Sequence, residues 1–216
     1  MLAIDAASFA VLALTYRWAV GAKGPEPATT PKARTLSGLL VVSFVFFLVF
    51  GPFYVALPLH VADDLHASAT LLGLYYTAFG IGAVVGGLAT AYLRRLPQWP
   101  ATIGIILAFG LTVLPLGLGA PAAVSLPMFG LAGLCWAPYV PMAMALFQRT
   151  TPADRLPQVL ATFGSITVIA VPLGTAAGGP LVTALGAEHT LLLSAIAMVT
   201  LGLAAAIGLL QRRLRQ

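Results

Sequence analysis

The chain alternates between long apolar runs and short polar connections. Six of the runs hold about twenty or more mainly apolar residues, and they cover 37–60, 70–93, 100–119, 122–147, 157–184 and 190–211. A helix needs about 20 such residues to cross the hydrocarbon core of a bilayer, so each run is long enough to span it. The pattern predicts an all-α, polytopic membrane protein with six strong transmembrane helices.

A weaker apolar run precedes these six and is interrupted by Asp5 and Arg17. A signal peptide is the alternative interpretation, but it would carry basic residues before the apolar run, whereas here the acidic residue comes first. We favour an additional transmembrane helix over residues 1–19. A polar, proline-containing linker over 20–35 and a six-helix bundle over 36–216 complete the predicted organisation.

The basic residues show which ends of the helices face the cytoplasm. If the connections alternate sides, all eleven Lys and Arg residues fall on one side: Arg17, Lys23, Lys32, Arg34, Arg94, Arg95, Arg149, Arg155, Arg212, Arg213 and Arg215. The opposite connections hold no basic residue. Lys and Arg gather in cytoplasmic loops, so we expect a cytoplasmic C-terminus in a multi-pass protein of the plasma membrane (the bacterial inner membrane).

Composition agrees with a lipid environment. Hydrophobic residues make up 60% of the chain and charged residues 8%, where soluble domains carry about 25% charged residues. The net charge of +5 therefore reflects membrane orientation, and we expect the lipid bilayer rather than nucleic acid as a partner. Cys135 is the single cysteine, so no disulfide framework can form within the chain.

Ionisable side chains are absent from the depth of all six strong runs. His60, His66 and His189 lie at outer ends or in outer turns, and their irregular spacing favours interfacial residues over metal ligands. An intramembrane protease or a retinal protein would need buried His, acidic or Lys side chains. We therefore predict that the chain is not an enzyme and holds no metal and no cofactor.

Glycine pairs and prolines mark the helices instead. Gly82 and Gly86, like Gly174 and Gly178, are four residues apart, a spacing that lets two helix backbones approach closely. Prolines inside the runs, such as Pro52, interrupt the backbone hydrogen bonding of a helix. Tight packing is one interpretation of this pattern, and helices that rock against each other in a transporter are the other.

Aromatic and hydroxyl residues form stripes on three of the runs. These stripes supply six candidates for the wall of a substrate cavity: Phe47, Tyr54, Trp136, Tyr139, Thr162 and Ser165. Aromatic walls with a few hydroxyl groups suit a bulky, weakly polar small molecule. Helix packing remains the alternative explanation for each residue taken singly.

The stretch "GGLATAYLRRL" (86–96) resembles the second, degenerate copy of the cytoplasmic loop motif of the major facilitator superfamily (MFS). The loop-motif residues are Gly86, Leu88, Thr90, Arg94 and Arg95. Gly86, Leu88 and the arginine pair match the family pattern, whereas Thr90 stands where the motif has Asp. The resemblance implies a basic clamp without the charge relay of the full motif.

The order of the other segments resembles the second half of bacterial drug and siderophore exporters. Residues 142–165 are similar to the connection between their tenth and eleventh helices, 171–186 to the eleventh helix, and the first apolar run to the sixth. The resemblance implies the C-terminal bundle of an MFS fold and a multidrug efflux permease working as an antiporter. It also implies a missing N-terminal six-helix half, without which we expect the chain to be inactive.

Two alternatives remain open. An MFS importer or metabolite carrier would be expected to place a charged residue in its cavity, and these runs have none. A non-transporting membrane scaffold or receptor would leave the loop motif unexplained. We therefore expect export of drug-like or hydrophobic small molecules by alternating access.

Overall fold

The computed structural model describes residues 33–214, with side chains from 36 to 211. Its helices are α1 (Ala33–Phe50), α2 (Phe53–Leu59), α3 (Ala69–Leu93), α4 (Gln98–Gly117), α5 (Ala122–Trp136), α6 (Tyr139–Thr150), α7 (Leu156–Leu185) and α8 (Ala187–Leu214). A short π-helical segment, His60–Asp64, continues α2. The residues described are almost entirely helical, as the apolar runs predict.

Within residues 33–214, six helical stretches are long and apolar enough to cross a membrane, which confirms the six predicted spans. The first combines α1, α2 and the π segment, the fourth combines α5 and α6, and the others are α3, α4, α7 and α8. Helix α1 begins at Ala33, so the last residues of the predicted linker are helical. The additional helix predicted over 1–19 lies outside the described residues.

Two spans break at proline, as the sequence indicates. Between α1 and α2 the chain turns at Gly51 and Pro52, and between α5 and α6 it turns at Ala137 and Pro138. A proline ring cannot donate a backbone hydrogen bond and clashes with the preceding turn. Each of these two spans is therefore a pair of helices joined by a two-residue turn.

The glycine pairs bring helices into backbone contact. A Cβ atom built at Gly82 or Gly86 of α3 would overlap carbonyl oxygens of α5, those of Gly130 and Leu134. On the other side of the bundle, Gly174 of α7 lies against the backbone of α1. The close-packing face predicted from the four-residue spacing is therefore confirmed for α3 on α5 and for α7 on α1.

Burial differs strongly between the spans. We compare the most apolar stretch of each span. The buried share of this stretch is 50% in the first, third and fourth spans, 22% in α7 and only 11% in α3. Helix α4 packs extensively on both α5 and α8. The core of the bundle thus lies around α1, α4, α5 and α6, while α3, α7 and α8, the last 28% buried, present most of their surface outwards.

Candidate functional site

An aromatic cluster fills the centre of the bundle, where α1, α4, α5 and α6 meet. Its rings belong to Phe46, Phe47, Phe50, Phe109, Trp136 and Tyr139. Ring centroids lie 4.2 Å apart for Phe50 and Trp136 and 4.5 Å apart for Phe46 and Tyr139. Three of the six predicted cavity residues, Phe47, Trp136 and Tyr139, are brought together in this cluster.

The local sequence explains why these rings meet. In α1, Phe50 lies four residues after Phe46 and three after Phe47, so its ring shares a helix face with both. Trp136 ends α5 and Tyr139 begins α6, and both rings contact Phe46 and Phe47 of α1. Edge-to-face and offset contacts at these distances are the arrangements that aromatic quadrupoles favour.

One polar link lies beside the cluster. The Tyr139 hydroxyl is 2.9 Å from Ser43 Oγ, and Ser43 Oγ donates to the carbonyl oxygen of Leu39 at 2.8 Å. Because the Ser43 hydroxyl donates its proton to the carbonyl oxygen of Leu39, the Tyr139 hydroxyl is the donor in its hydrogen bond with Ser43. The two buried hydroxyl groups therefore satisfy each other without water.

The aromatic cluster is packed in this conformation. Phe47 and Tyr139 are buried and Trp136 is partly exposed. Tyr54 is 52% exposed and touches the cluster only through Phe50, at 5.3 Å between centroids. The structure thus places the predicted α1 stripe partly inside the bundle and partly on its surface.

Thr162 and Ser165 lie on the exposed face of α7. Each hydroxyl donates to a carbonyl oxygen of its own helix, Thr162 to Gln158 at 2.9 Å and Ser165 to Ala161 at 3.0 Å. The structure does not link them to the aromatic cluster. Their oxygen lone pairs stay able to accept a hydrogen bond from a molecule bound at this face.

The loop-motif residues occupy the last turns of α3. Gly86 is buried against α5, whereas Leu88 is 77% exposed. Thr90 is buried, and its hydroxyl donates to the carbonyl oxygen of Gly86 at 3.1 Å. Arg94 and Arg95 are exposed just beyond the helix, and neither forms an ion pair with a residue that the structure describes. Thr90 therefore supports its own helix and contacts neither arginine through its hydroxyl.

Several cluster members escaped the sequence analysis. The same buried region also contains Phe46, Phe50, Phe109 and Ser43. The spacing of these residues along α1 and α4 is the one sequence signal that could have identified them. Within residues 33–214, no group of three or more His, Cys, Asp or Glu side chains could hold a metal ion.

Known proteins give a consistent comparison. The sequence model of the Major Facilitator Superfamily matches residues 39–215. The chain is similar to the multidrug efflux pump Tap of Mycolicibacterium fortuitum, at 28% identity over 178 residues, which are 82% of this chain and 42% of that protein. The pump of the same name from Mycobacterium tuberculosis H37Rv is 28% identical over 141 residues, 65% of this chain and 34% of that protein.

The chain therefore spans less than half the length of the curated relatives that it matches. No solved structure matches it significantly.

Proposed function

Because the chain belongs to the Major Facilitator Superfamily, a family of transporters rather than enzymes, we propose that it is the C-terminal half of an efflux permease. In this proposal it exports drug-like or hydrophobic small molecules by alternating access. The relatives are multidrug efflux pumps, and the chain covers only part of their length. Alternating access requires two bundles, related by an axis along the membrane normal, that rock around a site between them.

The exposed faces of α3 and α7 are the observation that carries this proposal. Both helices are far less buried than the helices of the central bundle. A second six-helix bundle lying on them would cover these faces and enclose a site between the two halves. The proposed partner of this chain is therefore an N-terminal six-helix half of the transporter.

The exposed face of α3 suits a neighbouring helix. Gly73, Gly80 and Gly87 are spaced by seven residues and share one side of the helix, and a Cβ atom at any of the three would meet nothing within 4 Å. In lipid, small residues at an exposed helix face let another helix approach to backbone distance. Gly82 and Gly86, by contrast, pack against the backbone of α5 within the bundle.

The chemistry of the exposed α7 face supports a neutral or weakly polar substrate. Thr162 and Ser165 offer hydroxyl groups there, next to apolar side chains such as Ile169 and Leu173. Helix α7 carries no Asp, Glu, Lys, Arg or His between Leu156 and Leu185. A charged metabolite would find no partner on this wall, which favours hydrophobic compounds.

Transport in proteoliposomes tests the proposal. We expect the purified 216-residue chain to move no fluorescent hydrophobic dye by itself, and to do so when it is reconstituted with an N-terminal six-helix half. Dye transport by the chain alone would contradict the half-transporter, and a stable two-chain complex without transport would contradict the exporter.

A matched pair of variants locates the contact between the halves. Gly80→Leu adds a side chain on the proposed partner face of α3, whereas Gly104→Leu adds the same side chain on α4, where a Cβ atom also meets nothing within 4 Å. We expect Gly80→Leu to abolish co-purification of the two halves and Gly104→Leu to leave it intact. Equal co-purification would place the partner elsewhere.

A further inference from the structure

We propose that the connection between α3 and α4 binds an anionic phospholipid whose headgroup carries hydroxyl groups, as that of phosphatidylglycerol does. The headgroup lies between Arg94, Arg95 and the first turn of α4, and an acyl chain follows the exposed side of α3. Three features meet at this place: an unpaired arginine pair, a helix start with an unpartnered buried amide, and a stripe of large apolar side chains.

Arg94 and Arg95 supply the positive charge of the site. Both side chains are exposed, and neither forms an ion pair with a residue that the structure describes. Their backbone is held in a turn, because the amide of Arg94 donates to the carbonyl oxygen of Thr90 at 3.0 Å. The amide of Arg95 donates to the carbonyl oxygen of Tyr92, also at 3.0 Å. Two guanidinium groups on a fixed turn suit a phosphate group, whose oxygens accept their N–H groups in pairs.

The first turn of α4 lies next to the arginine pair and offers further donors. Only Leu96 and Pro97 separate Arg95 from Gln98, the first residue of the helix. Pro97 supplies no side-chain acceptor to the helix start, and the first amides of a helix have no partner within it. Among the described residues, the amide of Ala101 is the first in α4 to find a backbone acceptor, the carbonyl oxygen of Pro97 at 3.1 Å. This 20-residue helix therefore presents free N–H groups and the positive end of its dipole to an anion.

The side chain of Gln98 indicates a ligand independently of the helix start. It is 7% exposed, and neither Nε2 nor Oε1 has a hydrogen-bond partner in the part of the chain that the structure describes. Helical side chains lean towards the N-terminus of their helix, so the amide of this first residue belongs to the end next to the arginines. A buried amide without partners costs free energy, because its hydration is lost and not replaced. A ligand that both accepts and donates hydrogen bonds at this end removes that cost.

The unpaired groups define the headgroup. The two guanidinium groups, the free amides and Gln98 Nε2 are donors, and phosphate oxygens are their acceptors. Gln98 Oε1 is an acceptor, and a headgroup hydroxyl supplies its donor. Because the amide atoms are covered by the protein, binding includes a rotation of the Gln98 side chain towards the headgroup. Phosphatidylglycerol combines hydroxyl groups with a net negative charge, which zwitterionic phosphatidylethanolamine lacks.

A stripe of large apolar side chains on α3 leads to the arginine pair. Its members are seven, four, three and four residues apart, which keeps them on one side of the helix. They are between 49% and 77% exposed: Leu74, Ile81, Val85, Leu88 and Tyr92.

This apolar stripe is distinct from the glycine face of α3. Gly73, Gly80 and Gly87 each directly precede a member of the stripe, so the two faces are about 100° apart around a helix of 3.6 residues per turn. Glycines admit another helix backbone, whereas large side chains hold it away and pack on acyl chains. The stripe therefore stays in contact with lipid when a second helical bundle covers the glycine face.

Aromatic residues set the depth of the headgroup. Tyr92 lies in the last turn of α3 and is 67% exposed, and Trp99 lies in the first turn of α4 and is partly exposed. Tyr and Trp side chains collect at the level of the lipid headgroups. An acyl chain that follows the stripe thus brings its phosphate to the level of the arginine pair.

Native mass spectrometry of the full chain in a neutral detergent tests the site. The chain is titrated with phosphatidylglycerol and, separately, with phosphatidylethanolamine that has the same acyl chains, and the lipid-bound fraction gives an apparent Kd for each. We expect phosphatidylglycerol to bind about tenfold more tightly, because the arginine pair interacts with its net charge. Equal affinity for the two lipids would overturn the proposal.

Two double variants separate a defined site from general attraction to basic residues. Arg94→Gln/Arg95→Gln removes the proposed pair, whereas Arg149→Gln/Arg155→Gln removes the same charge from two other exposed arginines. We expect the first to weaken binding of phosphatidylglycerol about tenfold and the second less than about twofold. Equal losses would mean diffuse electrostatic attraction and would overturn the site.

Gln98→Leu tests the amide at the start of α4. The variant should fold, because an apolar side chain replaces an unpartnered buried polar group. We expect binding of phosphatidylglycerol to weaken about fivefold, the effect of one lost hydrogen bond, while Gln148→Leu, at an exposed position of α6, leaves it unchanged. Unchanged affinity in Gln98→Leu would overturn the placement of the headgroup.

Competition shows whether the ligand is a lipid or a small anion. Inorganic phosphate and glycerophosphoglycerol, which is the headgroup without acyl chains, should not displace phosphatidylglycerol at equal concentration. Leu88→Ser should weaken lipid binding several-fold, whereas Leu203→Ser, at an exposed position of α8, should not. Displacement by phosphate, or equal effects of the two serine variants, would overturn the lipid assignment. The measurements need neither a second half nor transport, so their outcome is independent of the proposed function.

Discussion

Tyr139 donates a hydrogen bond to Ser43 across the centre of the bundle, and this contact joins the fourth span to the first. The tyrosine ring also packs on Phe46, at 4.5 Å between centroids. Both interactions lie next to the proline break between α5 and α6. The hydroxyl group and the ring of Tyr139 therefore make separable contributions to the packing of the core.

Substitution at Tyr139 should distinguish these two contributions. Tyr139→Phe removes one interhelical hydrogen bond and should lower the free energy of unfolding by about 0.6 kcal/mol, the average that double-mutant cycles give for such bonds in one membrane protein. Tyr139→Ala also removes the ring and should cost about 3–5 kcal/mol. Denaturation of the purified chain in mixed micelles measures both losses. Tyr54→Phe, at an exposed position, is the control and should change nothing, and equal losses for Phe and Ala at residue 139 would contradict the assignment.

Adjacent glycines on α3 give a second prediction. Gly86→Val should disrupt the bundle, because a Cβ atom at this position overlaps the backbone of Leu134, whereas a Cβ atom at Gly87 meets nothing within 4 Å. Gly87→Val introduces the same side chain into the same helical turn and should fold normally. The yield of monodisperse protein and its thermal midpoint in detergent check this pair. A similar loss in both variants would mean that helix propensity, and not the contact with α5, sets the cost.

The spans and their close contacts could be predicted from the sequence because simple distances govern them. The length of an apolar run must match the thickness of the bilayer, and two glycines four residues apart necessarily share a helix face. Six spans and the packing faces at Gly82 and Gly174 follow from these two rules. Neither rule depends on which helices become neighbours.

The composition of the candidate site could be predicted only in part, because it depends on where helices break and which faces meet. Phe47 and Tyr54 are seven residues apart and would share a face of one continuous helix, but the turn at Gly51 and Pro52 lies between them. In the structure Phe47 is buried, whereas Tyr54 is half exposed. His60 is buried as well, three residues after the buried Leu57 and on the same face of the span.

Reporter fusions should establish the orientation predicted from the basic residues. Green fluorescent protein fused after residue 216 should fluoresce, and alkaline phosphatase fused there should be inactive, because the positive-inside pattern places this end in the cytoplasm. Fusions after Gly119, in a connection without basic residues, should give the reverse result. Phosphatase activity at residue 216 together with fluorescence at residue 119 would invert the topology.

Single cysteines should show which exposed side chains face water and which face lipid. In a Cys135→Ala background assembled with an N-terminal half, Thr162→Cys and Ser165→Cys should react several-fold faster with a water-soluble maleimide than Leu203→Cys and Ile207→Cys. All four positions are exposed on the isolated bundle, so exposure alone predicts equal rates. The proposed cavity predicts unequal rates, because α7 would then border an aqueous space, while α8 would face hydrocarbon, in which a thiol does not ionise to the reactive thiolate. If a hydrophobic drug slows the labelling of Thr162→Cys and leaves that of Leu203→Cys unchanged, the result extends to substrate binding. Equal labelling of the two helices would remove Thr162 and Ser165 from the site.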